Sequence, residues 1–142
     1  MAQLRLYLSY NSLVVIDGKG TYTAPASSGA DSCINVTSCE SIPNTGPIPW
    51  GEYYLYRREI NDPIALWDMV RNVSGDWGDW RVPLHAVMGT ATYGRGGFFL
   101  HGGSKLGSAG CIDIGGGWFG DSSTNRVLSS IRESEVTRLW VM

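Results

Sequence analysis

The sequence predicts a mainly β fold, a sandwich or barrel carrying one or two short helices. Three observations point there. Nineteen Gly, 6 Trp and 7 Tyr in 142 residues suit tight turns and pleated, half-buried surfaces. Several short segments alternate apolar and polar residues with a period of two, as a strand with one buried face does. Turn residues separate these segments at short intervals. The chain is long enough to bury about two-thirds of its unfolded surface in one core. With no internal repeat, residues 1–142 are expected to form a single domain.

Taken in order, residues 3–10 alternate as a half-buried strand, and Asn11-Ser12 turns the chain into a second strand over 13–16. Asp17-Gly18 signals a turn before a third strand at 21–23. Residues 24–50 are rich in Ser, Gly, Pro and Asn and read as a long loop, ending at Gly46-Pro47-Ile48-Pro49-Trp50-Gly51. A strand follows over 52–58. Asn61-Asp62-Pro63 starts a short helix over 62–71, with proline in the first turn. Residues 81–85 and 97–101 read as strands, Ser122 to Thr124 cap a second helix running through Ile131, and 136–142 is a last strand.

Composition excludes several classes. The net charge of −2 and the lack of a Lys/Arg run argue against a nucleic-acid surface. No apolar run reaches the roughly 18 residues of a membrane span. The N-terminal stretch lacks the charged start, continuous apolar centre and small-residue cleavage site of a signal peptide. Three cysteines divide as two and one. Cys33 and Cys39, six apart in a polar loop, are expected to form a disulfide; the alternative is two reduced loop thiols. A disulfide places the protein in an oxidising compartment, reached in that case by a leaderless route. Asn35-Val36-Thr37 and Asn72-Val73-Ser74 match glycosylation sequons, a pattern frequent by chance.

The chemistry concentrates between His101 and Cys111, ten positions apart. An imidazole that takes a thiol's proton and holds the thiolate makes cysteine a useful nucleophile. Gly107, Ser108, Ala109 and Gly110 leave room for a substrate carbonyl and expose backbone N–H groups to an oxyanion. Cys111 is therefore expected to be the nucleophile and His101, held at a rim by Gly102 and Gly103, the general base. Gly110 and Ser108 are the candidate oxyanion donors. Asp113 shares the face of Cys111 in an extended chain; it orients His101, binds a substrate amine or caps the turn at Gly115. Arg95, in a glycine loop, is a candidate for a substrate carboxylate; the alternative is a solvated loop arginine. Gly102, Gly103 and Trp77 complete the candidate substrate contacts, although Trp77 and Trp80 equally suit packing. His85 alternates with apolar neighbours and reads as structural. A zinc site from His85, His101, Cys111 and Asp113 lacks any CxxC or HExxH spacing, so no metal or other cofactor is expected.

Phe99-Leu100-His101-Gly102-Gly103 and Ser108-Ala109-Gly110-Cys111-Ile112, supported by Gly46 to Tyr53 and by Asp17-Gly18-Lys19-Gly20, resemble the L,D-transpeptidase (YkuD-type) catalytic domains. The resemblance implies an L,D-transpeptidase-like β-sandwich whose cysteine attacks the peptidoglycan stem peptide between diaminopimelate and D-Ala. Ala109 stands where the family usually has His, and Asp113 where it often has Arg or Asn. With residues 81–85 and 94–99 and the short spacing from His101 to Ser108, the chain resembles the divergent branch of type VI secretion effectors. That branch implies action in the periplasm of a rival bacterium, a cognate immunity protein in the producer and contact with the secretion apparatus. Other classes remain to be separated: a non-catalytic wall-binding module and a zinc hydrolase.

Overall fold

A computed structural model of the chain describes residues 2–61, 80–103, 108–116 and 122–142. The predicted helix over 62–71, the Asn72 sequon and Trp77 lie outside the described residues. The strands are β1 (Gln3–Tyr7), β2 (Ser12–Asp17), β3 (Gly20–Pro25), β4 (Ser27–Gly29), β5 (Gly51–Tyr56), β6 (Arg81–Pro83), β7 (His85–Ala86), β8 (Phe99–Gly103), β9 (Ser108–Gly116) and β10 (Val136–Val141). Among the described residues one α-helix, α1 (Ser122–Ile131), precedes β10.

Six strands form one sheet in the order β3-β2-β1-β10-β5-β7. The period-two patterns place them: in β1 and β2 every second residue is buried, so Leu4, Leu6, Leu13 and Val15 point inward. A 3₁₀ turn over Leu8–Tyr10 ends in Asn11 at φ 53°, and this left-handed residue reverses the chain into β2. The last strand, β10, runs parallel to β1 and antiparallel to β5, which ties both chain ends into the middle of the sheet.

Four strands form the second sheet in the order β4-β9-β8-β6. Here the structure departs from two expectations. The predicted strand over 81–85 is two strands in different sheets: β6 pairs with β8, and β7 pairs with β5. Pro83 has no N–H to continue a ladder; the next donor, Leu84 N–H, goes to the Phe98 carbonyl at 2.8 Å. The predicted loop over 24–50 contains β4, which pairs antiparallel with β9. Its three residues, Ser-Ser-Gly, carry no apolar alternation to announce a strand.

The two sheets share one core. Leu4, Leu6, Leu13, Val15, Leu55 and Leu139 from the larger sheet pack in one cluster with Val82, Leu100, Ile112 and Ile114 from the smaller. Helix α1 lies on β9, β2 and β3 and buries Val127, Leu128 and Ile131. Trp80 is fully buried in the same core, and its indole N–H donates to the Thr124 carbonyl at 3.2 Å. Packing, the commoner use of a tryptophan, is what the fold makes of it. Cys33 and Cys39 are joined as a disulfide in the segment between β4 and β5.

Candidate active site

The four-stranded sheet carries a row of polar side chains across its width. The registers pair Ser27 with Asp113, Asp113 with His101 and His101 with Arg81. Residues paired across neighbouring strands project from the same face. Leu100 pairs with Ile112, and both are fully buried in the core, so the polar row occupies the opposite face. Cys111 lies two residues before Asp113 on β9 and shares that face. Strand spacing and rise place its Cα about 8 Å diagonally from that of His101. Ser27 and His101 are 2% exposed, Asp113 4% and Cys111 5%. A row of this polarity at this depth is costly unless its members are paired, which makes it the site to inspect for chemistry.

The histidine tautomer follows from its neighbour. His101 Nδ1 lies 2.5 Å from the Gly102 carbonyl oxygen. A carbonyl only accepts, so Nδ1 carries the proton and Nε2 is the basic nitrogen. A backbone carbonyl therefore orients the ring. Asp113 Oδ1 accepts the Gly115 N–H at 2.8 Å, an Asx turn that caps the glycine-rich end of β9. The Cys111 thiol donates to the Gly97 carbonyl at 3.9 Å. Gly103 pairs with Gly116 at the end of β8, and Ser108 opens β9 opposite Gly29.

Gly110 has φ 72°, a left-handed conformation that glycine adopts without strain. A Cβ there meets the Phe98 ring at 2.9 Å and Arg95 Nη2 at 3.2 Å. Its N–H donates to the Gly46 carbonyl at 2.9 Å, an acceptor other than the oxyanion expected from sequence. Arg95 also has protein partners. Its Nη1 donates to the carbonyls of Glu40 at 2.5 Å and Pro47 at 2.8 Å, and Nη2 donates to the Gly46 carbonyl at 2.8 Å. Burial draws this guanidinium below its ordinary pKa. Beside it, the Tyr93 hydroxyl donates to Glu40 Oε1 at 2.8 Å, and this bond raises the phenol pKa.

Sequence reasoning did not bring Ser27 and Arg81 to the site. Both are placed by strand pairing, which no local pattern encodes. Arg81 could have been suspected as a charged residue in an otherwise apolar strand. His85 lies in the other sheet, half exposed, with Nε2 2.6 Å from Glu59 Oε1. The hypothetical zinc set is thereby split between two sheets. Among the described residues no three His, Cys, Asp or Glu side chains cluster as a metal site.

This geometry sits on a known architecture, that of the L,D-transpeptidase domains. Bd1075 from Bdellovibrio bacteriovorus superposes with a TM-score of 0.61 at 14% identity, over 99% of this chain and 47% of that one. L,D-transpeptidase 1 from Mycobacterium tuberculosis gives 0.51 at 16% identity, over 99% and 60%. The L,D-transpeptidase from Xylanimonas cellulosilytica gives 0.55 at 16%, over 99% and 60%. The chain thus spans about half to three-fifths of the chains it resembles. The Tlde1 domain family matches residues 22–133, and the chain belongs to that family. No curated protein matches by sequence. No described helix is long and apolar enough to cross a membrane.

Proposed function

We propose that the chain is a cysteine-dependent enzyme of peptidoglycan stem peptides, acting at the diaminopimelate–D-Ala bond. The observation that carries this reading is the placement of His101 and Cys111 on one face of two adjacent parallel strands. The ring is held there by the Gly102 carbonyl with Nε2 as its basic atom.

In the proposed reaction His101 Nε2 takes the Cys111 proton, and the thiolate attacks the diaminopimelate carbonyl carbon. A C–S bond forms and the carbonyl π electrons move onto oxygen. The Cys111 N–H and the Ser108 hydroxyl are the proposed oxyanion donors; loss of one such donor typically costs about 2.7–4 kcal/mol of barrier. Collapse breaks the C–N bond, and the D-Ala amine leaves with the proton from His101. The thioester is then opened by water, by a free D-amino acid or by the amine of a second stem, each losing its proton to His101. Carboxypeptidase action strips the wall of cross-linking donors, and exchange replaces its terminal residue.

Membership of an effector family and the Cys33–Cys39 disulfide support delivery to the periplasm of a target bacterium. Such delivery calls for a cognate immunity protein in the producer and contact with the secretion apparatus. The test is incubation of purified protein with tetrapeptide muropeptides, with and without D-amino acids, followed by mass analysis. Loss of D-Ala or its exchange in wild type, and neither in a folded Cys111→Ala variant, is expected. Full turnover by Cys111→Ala overturns the nucleophile. Sacculus binding without any product returns the protein to the class of wall-binding modules.

A further inference from the structure

One carbonyl, that of Gly46, accepts both the Gly110 N–H at 2.9 Å and Arg95 Nη2–H at 2.8 Å. The remaining Arg95 bonds reach the Glu40 and Pro47 carbonyls, so one guanidinium spans both ends of the segment that follows Cys39. The disulfide closes the preceding loop, residues 33–39, and so anchors the start of that segment. Three residues beyond Arg95, the Phe98 ring lies against Gly110 and 5.7 Å from the guanidinium. Between them, the Gly97 carbonyl faces the Cys111 sulfur. The backbone immediately before the nucleophile is thus fixed from two sides by one short stretch, residues 95–98. Lysine, whose three donors all sit on one nitrogen, cannot reproduce this planar, multi-acceptor contact.

We infer that Arg95 is a positioning residue. It clamps the segment 40–47, which follows the disulfide loop, against the Gly110 turn and so sets where the Cys111 sulfur points. This role rests on Cys111 acting as nucleophile. It differs from capture of a substrate carboxylate, for which the guanidinium is already occupied by three carbonyls.

The experiment compares wild type, Arg95→Lys, Cys33→Ser/Cys39→Ser and Cys111→Ala. It measures muropeptide kinetics and, separately, alkylation of Cys111 by iodoacetamide across pH. Iodoacetamide has no carboxylate, so a lost substrate contact leaves its rate unchanged. Positioning predicts that Arg95→Lys lowers kcat by about 10- to 100-fold with KM within about twofold, and that it slows alkylation. The disulfide-free variant, which loosens the loop that anchors the start of the same segment, shows a smaller loss of the same kind. A raised KM at unchanged kcat and unchanged alkylation overturns the inference in favour of substrate binding. Wild-type values in both assays overturn it in favour of a dispensable loop arginine. If Arg95→Lys fails to fold, the disulfide-free variant decides: slowed alkylation sustains the clamp and an unchanged rate removes it. Turnover retained by Cys111→Ala defeats the nucleophile reading instead, while the alkylation arm still reads the clamp.

Discussion

Each sheet holds one histidine, and the two environments differ. On the six-stranded sheet, His85 is 37% exposed, pairs with Glu59 and stacks on Tyr54 at 5.3 Å between ring centroids. On the four-stranded sheet, His101 is 2% exposed, its Nδ1 is spent on a backbone carbonyl, and it sits between Arg81 and Asp113 in register. The first arrangement is a solvated surface cluster of a kind that contributes little to stability. The second places an oriented imidazole in a low-dielectric row on the same face as a thiol, where electrostatic interactions are strong. The larger sheet supplies the scaffold, and the smaller one carries the proposed chemistry.

The largest effect that can break this comparison is on turnover. His101→Gln is expected to abolish muropeptide conversion, since a general base typically contributes about 10²- to 10⁴-fold. His85→Gln should retain conversion within about twofold by the same assay. Equal losses in both variants would show that the sheets are not divided in this way.

A smaller effect sharpens the boundary between them. Tyr53 on β5 is fully buried, donates to the Pro49 carbonyl at 2.9 Å and meets Phe98 edge-on at 5.9 Å. The larger sheet thus supports the Gly110 turn through this ring pair. Burial pushes the phenol well above its ordinary value. The folded protein therefore holds a proton that the unfolded chain gives up near pH 10. The contribution is full below that value and is lost as pH rises beyond it. Tyr53→Phe should cost about 1–2 kcal/mol in denaturant melts at neutral pH. It should also show a shallower loss of stability above about pH 10 than wild type.

Much of the larger sheet is legible in sequence because its strands alternate cleanly: Leu4 and Leu6, Leu13 and Val15, Leu139 and Val141 each announce an inward face. Helix α1 is legible from a different period, with Val127, Leu128 and Ile131 on one helical face. The parallel pairing of β1 with β10 is not, because a pairing between the two chain ends has no local signal. Nor is β4, whose residues carry no pattern, or the switch of sheet at Pro83. At the proposed site, His101 and Cys111 stand out in the sequence by residue type and spacing. Asp113 is legible from its alternation with Cys111, whereas the Arg81 neighbour of His101 comes only from register. The acceptors of Arg95 are backbone carbonyls, which no side-chain code describes.

The most direct measurement is the rate of Cys111 alkylation by iodoacetamide from pH 5 to 10, in wild type and in His101→Gln. If His101 takes the thiol proton, wild type reacts readily at mildly acidic pH, while His101→Gln reacts only as pH approaches the ordinary thiol value of about 8.5. Superimposed profiles, both rising near that ordinary value, would contradict the account.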